Sequence, residues 1–516
     1  MSLIKLIKGL SGTEKTELLG SETERILRYT FTDKDTDALP KEIVNLAVAN
    51  SKGAKMIREH KARTQLIESL KIDKIKSLGF ENYKDAIKCY KNNFAQFVTD
   101  FEIENDFVYE KPADERTNSE YIIPVYGESN GSSAFPHPYQ LRLKDELNYL
   151  FRTRRHSNIL ITMPTGAGKT ILAMEVIIDL LRSFKVGENK KLQIGWFVEK
   201  QELCEQSLQS FQKLWKQKGD RKVICQRYFD KFNELNNSNE NRITFATFTL
   251  LTSRLAQPEV KKFLQGIDVL VIDEAHASNA YTYKEVLDTY EEYSPQGLRL
   301  GLTATPYRND DDEFQTLRDV FRTYLEIKDE NGKELESPID YLVKGEYLSS
   351  VQIQVLNAER GNSNSDYYKQ LHTAVKEECL NLISKKENTI IFAQSRSHAI
   401  ALNIYLKREG IENELIIGNT PPILRKNYLQ RFGDSEETLS VLVNHQILST
   451  GIDVPGLNSI MVLSKIESPT LALQVIGRAM RGEKNGGNPS NTLYLTKDNH
   501  NRLKEFKLLE NIVLNR

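Results

Sequence analysis

MPTGAGKT, Met163–Thr170, is the stretch on which the reading of this chain turns. SNILIT, Ser157–Thr162, precedes it as an apolar run of strand length. ILAMEVIIDLLRSF follows from Ile171 with apolar residues three and four apart, so the glycine-rich turn joins a strand to a helix. In that setting Gly166 and Gly168 let backbone N–H groups converge on anionic oxygens, and the helix N-terminus adds positive potential. Lys169 would reach the β- and γ-phosphates, and the Thr170 hydroxyl would bind Mg²⁺. The stretch departs from the general pattern only at its first position, which is Met163 rather than Gly. Thr165, Gly166, Ala167, Gly168, Lys169 and Thr170 are therefore the candidate nucleotide-phosphate ligands.

Working outward, 39% hydrophobic and 27% charged residues in 516 describe an ordinary chain with sizeable cores. Lys+Arg 70 against Asp+Glu 71 leaves a formal charge of −1, so any polyanion must be held in a local cleft. Cys89, Cys204, Cys225 and Cys379 are scattered without CxxC spacing, which reads as reduced structural thiols. The N-terminal MSLIKLIKGLSGTEK has neither the apolar core nor the cleavage pattern of a secretion signal. No apolar run approaches the ~18 residues of a membrane span, so a cytoplasmic protein without membrane contact is expected.

The spacing predicts a mainly helical accessory domain over 1–125, carried by KEIVNLAVANSKGAKMIREHKARTQLIESL and YKDAIKCYKNNFAQFVTDF. Lys52, Lys55, Arg58, Lys61 and Arg63 crowd into one part of it, either as a solvated helix face or as a surface for nucleic acid or a partner. From 126 to 312 strand and helix patterns alternate. After SNILIT come LQIGWFVE, ITFATF, DVLVID and LRLGLTAT, the pattern of a parallel sheet with helices on both faces. A connection over 313–348 includes the hairpin-like DENGKE. A second alternating unit occupies 349–516, with VQIQVL, NTIIFAQ, ELIIG, LSVLVN, SIMVL and NTLYL as its strands. EKNGGNPSN, Glu483–Asn491, reads as a surface loop.

DVLVID runs into DEAH, Asp273–His276. An acidic pair at the end of an apolar strand is expensive to bury unless it meets a cation or activates something. Asp273 suits the Mg²⁺ shell, and Glu274 suits deprotonating a water that attacks a γ-phosphate. The phosphate loop, DEAH, TATP at Thr303–Pro306 and QVIGRAMR at Gln474–Arg481 occur in that order. Together they resemble a superfamily 2 helicase or translocase of the DEAH type, in the branch of the helicase (Res) subunit of type III restriction enzymes. The resemblance covers roughly residues 135 to 500. It implies an α/β fold of two RecA-like parallel-sheet domains in tandem, using ATP and Mg²⁺ and acting on nucleic acid.

Carried over position by position, the resemblance makes Gln140 in HPYQ an adenine-reading glutamine. It assigns His276, Thr303, Thr305 and Gln474 to coupling the ATP site to domain closure. Thr247, and Ser449 and Thr450 in HQILSTGIDVPGL, would hold the nucleic-acid backbone, where neutral donors grip phosphates without reading bases. Gly451 and Asp453 would face the nucleotide. Arg478 and Arg481, three apart on one helix face, would point at the γ-phosphate once the domains close, a role that suits a permanently charged, fork-shaped donor.

The expected activity is an ATP-dependent DNA helicase or translocase, in restriction, antiviral defence or repair. DEAH, TATP and the restriction-like entry IDYLVKGEYL favour DNA over RNA. An RNA helicase with the same core stays open, as does an ATP-gated nucleic-acid-sensing subunit that docks a nuclease or other protein through its N-terminal domain.

Overall fold

A computed structural model of the chain describes residues 3–32, 39–103, 119–123, 136–153, 158–183, 191–236, 240–275, 281–294, 297–304, 320–359, 363–418, 420–432, 434, 438–445, 447, 454 and 456–506. The chain divides into two compact units. One comprises 116–348 with 473–485, the other 1–115 with 349–472 and 486–516.

The first unit is built on eight strands: β1 (Glu120–Ile123), β2 (Asn158–Thr162), β3 (Gln193–Val198), β4 (Val223–Tyr228), β5 (Arg242–Thr247), β6 (Val269–Asp273), β7 (Leu298–Thr303) and β8 (Thr323–Glu326). Their order is β1-β4-β5-β3-β6-β7-β2-β8. All neighbours are parallel except β1 and β4. Ile159, Leu160, Ile161, Val269, Leu270, Val271 and Ile272 are all buried, as strands covered on both faces require. Register levels the strand ends: Thr162 lies opposite Thr303, and Asp273 opposite Leu302. The turns after β2, β6 and β7 therefore leave the sheet side by side, at the carboxyl edge where open α/β sheets hold their ligands.

Two helices flank the phosphate turn. Lys169–Ser183 buries Leu172, Ala173, Val176, Ile177 and Leu181 along the face that its 3.6-residue period creates. Pro138–Thr153 lies against it. Lys144 Nζ reaches Glu175 Oε2 and Asp179 Oδ2, each at 3.0 Å, and Asn148 Nδ2 donates to Asp179 at 2.8 Å. Glu175 is buried and also pairs with Lys218, so its charge is met from two helices.

β1, β4 and β8 were not among the expected strands. β4 carries Gln226 and Arg227, both buried. Arg227 is neutralised by Glu205 at 2.6 Å, and Gln226 Oε1 accepts from Thr244 Oγ1 at 3.2 Å. Those partners lie elsewhere in the chain, so no apolar run marks the strand. DENGKE makes the anticipated tight reversal: Gly332 has φ +79°, and its N–H donates to Asp329 O at 3.1 Å.

The second unit holds β9 (Ser350–Val355), β10 (Asn388–Phe392), β11 (Glu414–Ile416), β12 (Val441–Asn444), β13 (Leu457–Val462) and β14 (Ser490–Leu495). They form a wholly parallel sheet in the order β11-β12-β10-β13-β14-β9. The N-terminal helices do not stand apart as an accessory domain. Leu27, Ile43, Ala47 and Phe97 belong to one apolar cluster with Leu371, Val375, Leu402 and Ile404 of this unit. Polar contacts seal the joint. Asn50 Nδ2 donates to Asn403 Oδ1 at 2.8 Å, Asn403 Nδ2 donates to Asn413 Oδ1 at 2.7 Å, and the Thr23 and Ser397 hydroxyls meet at 2.9 Å. The helical pattern shows that a face is apolar, not what covers it; Ser21–Phe31, at 11 residues, is too short to bury that face alone. Within the basic stretch Arg63 is buried, so it adds no charge to a surface.

Candidate nucleotide site

The phosphate turn adopts the backbone that its glycines permit. Gly166 and Gly168 have φ of +85° and +81°, values that disfavour any side chain. Space is a second constraint: a Cβ on Gly168 would lie 2.4 Å from Gln140 Nε2. The turn is anchored where Met163 N donates to Thr303 O at 3.1 Å. Met163, the departure from the general pattern, is wholly buried.

Lys169 is buried, and its Nζ donates to Met163 O at 3.3 Å. Burial lowers its pKa, while the Glu274 and Asp273 carboxylates pull the value back up. Thr170 Oγ1 donates to Asp273 Oδ2 at 3.1 Å, so the hydroxyl and the carboxylate converge. Asp273 also accepts from Glu274 N at 3.1 Å. Burial, then the neighbouring Glu274 charge, pushes the Asp273 pKa up to about 6. A cation in front of this pair would relieve that penalty. Glu274 itself sits at φ +54°, a left-handed backbone rare for a residue with a side chain. The Thr165 hydroxyl is buried without a hydrogen-bond partner among the described residues, which suits a turn that receives an oxygen-rich ligand.

Gln140 is held from two sides. Its Oε1 accepts from His137 N at 2.8 Å, and its Nε2 donates to Ala167 O at 3.0 Å. Each end of the amide keeps one further hydrogen-bonding position, as reading a base edge requires. Tyr139, beside it, is buried and also donates to Ala167 O, at 2.9 Å.

The stretch 473–485 belongs to this same unit. Gly477 is pressed against the phosphate turn so closely that a Cβ there would lie 2.2 Å from Thr165 Cβ. Arg478 follows directly and is near enough to Lys169 for its charge to lower the lysine pKa. The 3.6-residue helix expected through both arginines ends early: the α-helix is Pro469–Ile476, followed by a tighter turn over Gly477–Met480. Arg481 therefore leaves the common face and donates from Nε to Asn485 O. Gln474 is half-buried on the preceding helix.

Thr303 is fully buried at the end of β7. Thr247 is buried too, and its hydroxyl caps the helix Phe248–Ser253 by accepting from Leu250 N at 3.4 Å. His276, Thr305, Ser449, Thr450, Gly451 and Asp453 lie outside the described residues. Sequence reasoning missed His137, Tyr347 and Asn485. His137 and Tyr347 bring their rings within 4.7 Å of each other, and Asn485 bonds to both residues. The first of them stands in the same HPYQ as Gln140, the one signal that pointed to it.

Two stretches of the chain match known protein families. Residues 134–308 match the family described as type III restriction enzyme, res subunit, and 371–483 match the helicase conserved C-terminal domain. The putative ATP-dependent helicase IRC3 of Saccharomyces cerevisiae is 24% identical over 339 residues, covering 62% of this chain and 46% of that protein. The type I restriction enzyme EcoKI endonuclease subunit of Escherichia coli is 25% identical over 389 residues, covering 63% of this chain and 31% of its own. The chain thus spans less than half the length of either relative. A fragment of a putative HsdR subunit of a type I restriction enzyme from Vibrio vulnificus shares the fold, with TM-score 0.50 at 18% identity over 80% of this chain and 70% of that one. The chain belongs to the superfamily 2 helicases and is related to the res subunit of type III restriction enzymes.

Proposed function

We propose that this chain hydrolyses ATP in a nucleic-acid-dependent manner and uses the cycle to move on or unwind DNA. The observation that carries the reading is the convergence of Lys169, Thr170, Asp273 and Glu274 at the level ends of β2 and β6, beside Arg478. The Gly166–Gly168 backbone would cradle the phosphates, and Lys169 would exchange the Met163 carbonyl for β- and γ-phosphate oxygens. Thr170 and Asp273 fit a Mg²⁺ ion, because that ion takes one or two protein oxygens and completes its shell with phosphate and water. Bound there, Mg²⁺ would supply charge neutralisation at the phosphate oxygens.

Glu274 would accept the proton of the attacking water while the bond from the γ-phosphorus to the ADP oxygen breaks. Arg478 would meet the charge that develops on the γ-phosphoryl oxygens. Residues 473–485 lie with the nucleotide turn, yet the sequence on either side of them belongs to the second unit. Gain and loss of the γ-phosphate would thereby be passed along the chain to that unit. Gln140 would read the adenine. Thr303, Thr305, His276 and Gln474 would couple the steps, Gly451 and Asp453 would face the nucleotide, and Thr247, Ser449 and Thr450 would hold the polymer backbone.

DNA is favoured by the match to the restriction res subunit and by the likeness to an endonuclease subunit. The same likeness supports a nuclease or other protein partner, docked through the N-terminal helices. The test is ATP turnover by the purified chain with no polymer, single-stranded DNA, duplex DNA, branched DNA and RNA, beside Glu274→Gln. Strong stimulation by one DNA form, absent in Glu274→Gln, is expected. Stimulation by RNA alone would replace DNA as the track, and flat activity across all polymers would contradict a motor.

A further inference from the structure

Asn485 lies in the stretch read from sequence as a surface loop, but both ends of its side chain are engaged. Its Nδ2 donates to Tyr347 O at 2.7 Å, and its Oδ1 lies 2.8 Å from His137 Nε2. Because the amide nitrogen must face a carbonyl, the oxygen faces the ring, and His137 Nε2 carries the proton of this bond. The Asn485 backbone is engaged as well: its carbonyl accepts from Arg481 Nε, and its N–H donates to Gly482 O at 2.9 Å. On the other side, His137 N donates to Gln140 Oε1, and Gln140 Nε2 donates to Ala167 O of the phosphate turn. One unbroken run of hydrogen bonds therefore links Arg481, Asn485, His137, Gln140 and Ala167.

We propose that the His137–Asn485 hydrogen bond is a latch holding 473–485 on the nucleotide turn, which makes His137 a positioning residue for Arg478. Two features argue for this beyond the bond itself. The segment touches the phosphate turn through Gly477 against Thr165. Further along, the Leu348–Arg481 bridge and the bonds from Gly482 N to Tyr347 O at 3.3 Å and Lys484 N to Glu346 O at 3.1 Å hold it to 346–348. The bond to His137 is what ties it to the stretch that orients Gln140. The latch joins it eight residues on, at the end of the Glu483–Asn485 turn, with Lys484 Nζ over the Tyr347 ring at 4.8 Å as a second clasp. The partner it joins is the backbone that orients Gln140. The two ends of a bound nucleotide would then be sensed by one connected element: the base by Gln140 and the γ-phosphate by Arg478. This rests on the ATP reading given above.

The test uses the full chain with His137→Ala, His137→Gln, Asn485→Ala and the double alanine variant. Readouts are ATP turnover and the affinities for ADP and for a β,γ-imido ATP analogue. In His137→Ala, turnover and analogue affinity should each fall about tenfold, the loss of one partly buried hydrogen bond, while ADP affinity changes less than about twofold. Asn485→Ala, which also loses the bond to Tyr347 O, should fall at least as far. The double variant should be no worse than Asn485→Ala, and His137→Gln, whose amide can still donate to Asn485, should recover most of the turnover. Equal weakening of ADP and analogue would overturn the latch, since that is damage to base or phosphate binding alone. So would wild-type turnover in His137→Ala, or additive losses in the double variant. Absence of turnover in the wild-type chain would overturn the ATPase reading and the latch with it.

Discussion

Glu274 combines a strained backbone with a place beside a second carboxylate. Its φ of +54° puts a side chain in the left-handed region, at a cost of about 1 kcal/mol. Its carboxylate also helps to raise the pKa of Asp273. Backbone strain of this kind clusters at functional sites, in keeping with the catalytic role proposed for Glu274. Glu274→Gly should therefore raise thermal stability, by about 1 kcal/mol, while abolishing hydrolysis. Calorimetry and a turnover assay on the same preparation check both halves. A destabilised Glu274→Gly protein would mean that the backbone conformation is held by side-chain contacts instead. Gln140 and Lys169 could be singled out as candidates from sequence because HPYQ and Gly-Lys-Thr stand in recognisable surroundings. Asn485 was not, because its role comes from bonds to residues 138 and 348 positions away, and an asparagine in a Gly- and Pro-bearing stretch looks like any turn residue.

At the scale of elements, the strands that sequence revealed are those with apolar runs, β2, β3, β5, β6 and β7 in the first unit and five in the second, together with β9, where VQIQV alternates. β4 escaped because Gln226 and Arg227 are buried through partners rather than by character. The same principle works among helices, where His372 on Asn364–Ser384 meets His398 on Arg396–Arg408. Their Nε2 atoms are 2.9 Å apart and their rings stack at 5.1 Å, with both residues fully buried. His398 Nδ1 accepts from Gln394 N, so His398 donates through Nε2 and both rings are neutral. Burial lowers both pKa values, that of His398 to about 3. In the unfolded chain each would bind a proton near pH 6.5. Stability conferred by this pair is therefore complete above that pH and falls as pH drops below it, by up to about 1.4 kcal/mol per unit per histidine. Hydrogen exchange in Arg396–Arg408, corrected for its intrinsic pH dependence, should show protection falling steadily from pH 7 to pH 5. Constant protection would contradict the neutral pair.

At the scale of the molecule, two parallel sheets in series were readable because each repeats strand and helix on its own. The placement of the N-terminal helices was not. Their apolar stripes are evident in the sequence, but the surface they cover, on Asn364–Ser384 and Arg396–Arg408, is defined only by the folded second unit. Deleting residues 1–103 should consequently leave the second unit aggregated or unprotected in hydrogen exchange; a soluble, monomeric truncation with native protection would contradict the shared core. The return of 473–485 to the first unit is the other feature of this scale, and it puts an arginine beside the phosphate turn from sequence more than three hundred residues away. The most direct measurement is the rate of γ-phosphate release from bound ATP at saturating DNA, in wild-type protein and in Arg478→Ala. Arg478→Ala should bind ATP and release phosphate about a thousandfold more slowly. Near-normal release in that variant would contradict the account.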